Sequence, residues 1–232
     1  MRELTCPQCG DTFTSSSEPR EFTVQGFGGA VETFGFEPSC PACDAQGMEQ
    51  EEADRVIKDE ARWMEVCPLI YRRTDLLRLP KCFTEWLKPL NPGKGLFIKG
   101  PTGWGKTRLA YSVLHICQDE GWTVDAISHV ELARLGIALV SGSSEAKERA
   151  RIRYKELTWV GALLIDDFGK ATETPRSVEA LAQLVEDRTA NYRPTIWTTN
   201  GSKPWLIERL GADAGPAILR RILEFCDTVI GE

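Results

Sequence analysis

The chain has 232 residues, 42% of them hydrophobic, and its 28 Lys plus Arg against 34 Asp plus Glu give a formal net charge of -6. That balance supplies no global basic field for nucleic acid or a membrane surface, so any such contact must come from a local patch. No apolar run approaches the roughly 20 residues of a membrane span, and Met1 to Cys6 carries no apolar signal region. The expectation is a cytoplasmic protein without a membrane partner, whose 8 cysteines serve as thiols or metal ligands rather than disulfides.

Four cysteines come first, as Cys6-Pro7-Gln8-Cys9 and Cys40-Pro41-Ala42-Cys43. Two C-x-x-C turns at this separation fit one tetrahedral four-thiolate zinc site. The other reading is a pair of redox-active dithiols, but those usually sit beside a βαβ pattern that is missing here. Between the turns, Arg20 to Val24 and Val31 to Phe36 read as a hairpin joined by a turn at Gly26, Gly28 and Gly29. Residues 1–45 are therefore read as a small zinc-ribbon domain that the metal holds together. Cys67, Cys82, Cys117 and Cys226 are scattered, and Cys117 is expected to be a small core residue.

From Ala45 to Glu65 the pattern is helical and acidic, ended by Pro68, and residues 46–66 read as a helical linker or a partner-binding helix. Pro80, Pro89 and Pro92 then break the chain into turns. Gly95 to Ile98 is a short apolar strand, and Gly100-Pro101-Thr102-Gly103-Trp104-Gly105-Lys106-Thr107 follows it directly. That octad matches G-x-x-x-x-G-K-[ST], and Arg108 to Gln118 continues as a helix. Glycines let the backbone curl so that N–H groups face phosphate oxygens, and the helix N-terminus adds positive potential. Lys106 would reach the β/γ-phosphates, Thr107 would ligate Mg²⁺, and Arg108 completes the set of candidate nucleotide contacts.

The rest of 67–232 alternates strands with helices. Strands are expected at Trp122–Ile127, Val160–Ile165, Pro194–Thr199 and Asp227–Ile230. Helices are expected at Val130–Val140, Ser144–Leu157 and Arg176–Tyr192, and from Pro204 and Pro216. This implies an α/β fold of the P-loop type, a parallel sheet with helices on both faces and ligands at the strands' carboxyl ends. Val160 to Ile165 ends in Asp166 and Asp167, the first suited to orient Mg²⁺ and its water, the second to polarise an attacking water. Asn200 ends the next strand, either as a sensor of the terminal phosphate or as an ordinary turn residue. Arg220 and Arg221, in an apolar helical pattern, are either solvated or placed to reach a neighbouring subunit's triphosphate.

Together GPTGWGKT, ALLIDDFGK, DRTANYRPTIWTTN and ERL…ILRRIL resemble the AAA+ ATPases, and within them the DnaC/DnaI helicase-loader and IstB group, over about residues 66–230. The resemblance implies ATP as the nucleotide, Asp167 in place of the usual glutamate, Asn200 as sensor 1 and Arg221 as the arginine finger of a self-associating ATPase. It implies a hexameric replicative helicase gripped by the N-terminal domain and single-stranded DNA bound by the core. An IstB-type transposition ATPase acting on duplex DNA is the alternative. Arg149, Arg151 and Arg153, in the helix before the acidic strand, and Thr174 and Arg176, after it, align with positions that approach DNA, although a solvated helix paired with Glu145, Glu148 and Glu156 would look the same. The family carries a further arginine, sensor 2, beyond the last strand. Here the chain reaches only Ile230-Gly231-Glu232, which leads to the expectation of weak hydrolysis or of a nucleotide-binding adaptor.

Overall fold

A computed structural model describes residues 2–15, 20–25, 31–36 and 39–231, which group into two units, 1–61 and 62–232. In the first unit β1 (Arg2–Thr5) pairs antiparallel with β2 (Thr12–Ser15), flanking the turn that carries Cys6 and Cys9. The expected hairpin forms as β3 (Arg20–Gln25) against β4 (Val31–Phe36), with Arg20 opposite Phe36 and Gln25 opposite Val31. Its glycine turn lies outside the described residues. Helix α1 (Pro41–Val66) begins inside the second cysteine turn, four residues before its expected start, because Pro41 suits the first helical position, where an N–H has no partner to lose.

The second unit opens with two short 3₁₀ turns, Leu76–Arg78 and Lys81–Trp86, followed by β5 (Gly95–Lys99) and α2 (Lys106–Asp119). Then come β6 (Val124–Ser128), α3 (His129–Ala138), α4 (Ser144–Trp159), β7 (Ala162–Asp166) and α5 (Pro175–Ala190). The chain continues through β8 (Thr195–Thr199), α6 (Lys203–Leu210), α7 (Gly215–Glu224) and β9 (Cys226–Ile230). Side-chain caps set several of these starts: Ser128 and Glu131 form a capping box on α3, Ser143 caps α4, and Thr174 with Ser177 closes α5.

The five strands β5 to β9 form one parallel sheet in the order β6-β7-β8-β5-β9. Strands buried on both faces tend to be continuous apolar runs, which is why Ala162 to Ile165 was readable as core, whereas the equally buried Thr195 to Thr199 carries three threonines. Alternate side chains feed two layers. Leu96, Ile98, Ala162, Leu164, Ile196 and Val229 pack with Leu109, Val113 and Leu114 of α2 and with Phe83. Phe97, Leu163, Ile165 and Trp197 pack on the opposite side with residues of α3, α5, α6 and α7. Cys117 is fully buried in the first layer, as expected.

Arg188 ties the far end of this sheet together. Its buried guanidinium donates to the carbonyls of Leu157, Val160 and Pro194 and to Thr195 Oγ1, at 2.7–3.0 Å. Burial lowers its pKa to about 9. The end of α4 and the starts of β7 and β8 are thereby pinned, which fixes the strands whose other ends carry the candidate site.

Candidate functional site

The loop between β5 and α2 winds back over the helix start. Gly103 and Gly105 take φ of 82° and 95°, the left-handed region where a Cβ is costly, and Gly105 is the N-cap of α2. Gly100 is small for another reason: a Cβ there would lie 2.4 Å from the Trp104 ring. Trp104 in turn meets Phe83 edge-on, with centroids 4.5 Å apart. Lys106 is buried and its Nζ donates to Pro101 O at 2.8 Å, curled over the loop. Burial lowers its pKa, against which Asp167 and Asp166 push upward.

Because β8 lies between β7 and β5, the acidic strand end and the loop meet at one edge. Asp166 Oδ1 accepts from Thr107 Oγ1 at 3.0 Å and from Thr198 Oγ1. Thr198, fully buried on β8, also accepts from the Asp167 amide at 2.9 Å. Burial raises the Asp166 pKa, and the hydrogen bonds from Thr198 and Thr107 work against that rise. Asp167 sits at φ 58°, which turns its carboxylate away from β7 and toward Lys170 Nζ at 2.7 Å. Asn200 Nδ2 donates to Thr102 Oγ1 at 3.2 Å, so the end of β8 touches the loop. The two carboxylates thus stand in unlike settings. Asp166 is enclosed and fixed by hydroxyls, as a metal ligand requires, while Asp167 is half-exposed beside a cation.

A cavity of about 280 Å³ is lined by Thr102, Lys106, Thr107, Asp167, Lys170 and Asn200. A second, of about 490 Å³, adjoins the same loop and is walled by Ile70, Leu79, Pro80, Trp104 and Arg108. Arg108 donates to Ile70 O at 3.1 Å and lies over the Tyr71 ring, so its side chain serves this wall. Sequence reasoning missed Ile70, Tyr71, Leu79 and Pro80, because an irregular segment between prolines has no period to read. It also missed His129, whose Nδ1 accepts from the amides of Gly169 (3.1 Å) and Ala171 (3.4 Å) just past Asp167.

In the first unit the four sulfurs of Cys6, Cys9, Cys40 and Cys43 lie within 4.8 Å of one another, and Cys9 Sγ is 3.7 Å from Cys40 Sγ. A zinc ion bonded to four thiolates at 2.3 Å sets its sulfurs about 3.8 Å apart, so the donor set fits that ion. The Cys40 amide donates to Cys6 Sγ at 3.4 Å and, with the Cys9 amide, draws that thiol down to about 6. Crowding against Cys9 and Cys40 drives Cys43 the other way, so four clustered thiolates need a cation among them. The second pair does open a helix, α1, yet both pairs converge on one point.

The structure separates the remaining predicted residues. Arg153 is committed to the fold: it forms a two-pronged pair with the buried carboxylate of Asp125 at 2.6 and 3.0 Å, and Asp125 stands on β6, out of reach of any sequence pattern. The Thr174 hydroxyl caps α5 by accepting from Ser177 N at 3.2 Å. Arg149 and Arg151 are exposed on α4, and Arg151 and Arg176 face Glu148 (3.7 Å) and Glu179 (3.0 Å) one turn away. Arg221 donates to both oxygens of Glu186 at 2.8 and 2.6 Å within its own chain, while Arg220 is exposed beside it.

A glycine-rich loop between β5 and α2, an acidic pair ending β7 and the order β6-β7-β8-β5-β9 make up a P-loop fold of the AAA+ type. The comparisons agree with that class. The chain is similar to the solved DnaC helicase loader, at 25% identity and a TM-score of 0.50 over 61% of this chain and 81% of that one. It shares its fold with solved DnaI, at 19% identity and a TM-score of 0.58 over 71% and 94% of the two chains. A protein of Mycobacterium tuberculosis, named as an ATP-binding protein in an insertion sequence, is 30% identical over 114 residues, 49% of this chain and 43% of that relative, so the match spans less than half the relative's length. No protein-family profile matches the chain. Among the described residues, no helix is long and apolar enough to cross a membrane.

Proposed function

We propose that the chain is an ATP-dependent helicase loader that binds single-stranded DNA and a hexameric replicative helicase. The observation that carries this is one chain holding a phosphate-loop site in a DnaC-like fold together with a four-cysteine unit. The loop amides from Thr102 to Thr107 and the Lys106 ammonium would hold the β- and γ-phosphates, and the cavity walled by Ile70, Leu79 and Pro80 would take the base. Thr107 and Asp166 would hold Mg²⁺, which when bound neutralises phosphate charge and polarises the terminal phosphoryl group. Asp167 would accept the proton of the attacking water, and Asn200 would hydrogen-bond the terminal phosphate or that water. Arg221 would act on a neighbouring copy's triphosphate, which requires its pair with Glu186 to open. Zinc on the four cysteines would be structural, and the unit it stabilises would grip the helicase. Arg149, Arg151 and Arg176 are the solvent-facing candidates for DNA.

The likeness to an insertion-sequence protein supports a second reading, a transposition ATPase on duplex DNA. Fluorescence anisotropy with single-stranded and duplex probes, followed by size exclusion with the host's hexameric helicase, separates the two. A helicase complex and preference for single strands support loading. Preference for duplex and no helicase complex overturn it in favour of the transposition reading.

A further inference from the structure

We infer that Lys170 is a second phosphate-facing lysine of this site, one that holds Asp167 and turns to the terminal phosphate when a nucleoside triphosphate binds. This rests on the nucleotide reading of the loop and extends it to a residue that the phosphate-loop and acidic-strand patterns do not include.

The turn after β7 is built to bring Asp167 and Lys170 together. Lys170 N donates to Asp167 O at 3.1 Å, and Gly169 occupies the third position of that turn at φ 96°, which asks for glycine. An added Cβ on Gly169 would also lie 2.4 Å from Trp205. The turn is anchored from three sides. Thr198 Oγ1 accepts from Asp167 N, His129 Nδ1 accepts from Gly169 N, and Arg209 Nε donates to Gly169 O at 3.2 Å. The first and fourth side chains of a turn so fixed project side by side, and they meet as the 2.7 Å pair between Lys170 Nζ and Asp167 Oδ2.

As a surface ion pair this contact would contribute little to stability, because both groups are well hydrated. Its position is what points to a ligand. Lys170 lines the same cavity as Lys106, Thr107 and Asn200. Of the cations lining it, Arg108 is tied to Ile70 O and the Tyr71 ring, and Lys106 is curled over the loop. Lys170 is the cation ion-paired with Asp167, half-exposed on a flexible stem that can swing. While the ammonium occupies the Asp167 carboxylate, that oxygen is engaged and poorly placed to accept a proton from water. A terminal phosphate carries more charge than one carboxylate and competes for the same ammonium. Its arrival would draw Lys170 across and free Asp167, so the base would be released only by a triphosphate.

The test is calorimetric titration of the full chain with Mg²⁺ and either ATPγS or ADP, comparing wild type with Lys170→Ala, Lys170→Arg and Lys106→Ala. Loss of one charge-assisted contact to the terminal phosphate should weaken ATPγS binding to Lys170→Ala about tenfold while ADP binding changes less than about twofold. Lys170→Arg should restore most of the ATPγS affinity. Equal losses for both nucleotides, or no loss for either, would overturn the assignment. Weak binding of both nucleotides to Lys106→Ala alone, with wild type and Lys170→Ala alike, would leave the loop reading standing and reject Lys170. Failure of the wild-type chain to bind either nucleotide rejects both.

Discussion

Residues 62–232 bury two apolar layers against a parallel sheet, whereas the buried apolar residues described within 1–61 are Cys6, Cys40 and Cys43, with Phe13 packed beside them. One unit is held by hydrophobic area, and the described core of the other is a cluster of sulfurs whose thiolates repel one another unless a cation joins them. The difference teaches where function is exposed to perturbation. The sheet unit can lose a side chain at its site and keep its fold, because the site sits on loops at the edge of an intact core. Among its described residues the cysteine unit has no comparable apolar layer to fall back on.

The largest expected effect breaks the small unit alone. Structural zinc in such units contributes on the order of 10 kcal/mol or more. Cys6→Ser with Cys40→Ser, or a strong chelator, should therefore remove about one zinc per chain and make residues 1–61 sensitive to protease. Cleavage within 62–232 should not change. Metal analysis with mass-mapped limited proteolysis reads both, and simultaneous loss of the two units would erase the contrast.

A second prediction concerns His129 in the sheet unit. Burial depresses its pKa from about 6.5 to about 4, so the folded state binds fewer protons than the unfolded state in that window. Its contribution is fully present above about pH 6.5 and is lost as pH falls toward 4, at most about 3 kcal/mol. Glu173, 3.1 Å from His129 Nε2, offsets part of this because burial raises its own carboxyl, and nearby Arg209 pushes His129 further down. Denaturant titrations between pH 7 and 4 should show that slope in wild type and a flatter one in His129→Gln. Equal slopes would remove His129 from the account.

Thr198→Val sharpens the comparison at the site. It removes the hydroxyl shared by Asp166 and the Asp167 amide and leaves that amide without its partner, which should cost about 1–3 kcal/mol in chemical unfolding. Mg²⁺-dependent nucleotide affinity should fall as well. The smallest stability effect belongs to Arg221→Ala, under about 1 kcal/mol, since its pair with Glu186 is largely exposed. Yet hydrolysis that rises with protein concentration should disappear in that variant. If it persists, Arg221 is a surface residue and no more.

Much of this was legible in the sequence. Parallel strands buried on both faces tend toward unbroken apolar runs, so β5 and β7 announced themselves, and the motifs at their ends followed by adjacency. Cysteine spacing was equally direct, because two C-x-x-C turns constrain geometry without needing a core. Long-range partners were not legible. Nothing in the alternating arginines of α4 told that Arg153 would meet Asp125 on β6, and Thr198 looked like any strand threonine beside Asn200. The cavity wall from Ile70 to Pro80 was invisible for the opposite reason, having no period at all. Trp104 could only be placed once Phe83 and the facing glycine positions 100 and 231 were known.

The most direct measurement is a crystal structure of the full chain with Mg²⁺ and a non-hydrolysable ATP analogue. The account predicts the triphosphate wrapped by the amides of residues 102–107, Lys106 Nζ on its terminal phosphates, and the metal between Thr107 and Asp166. Phosphates bound away from this loop, or an Asp166 carboxylate turned from the metal, would contradict it.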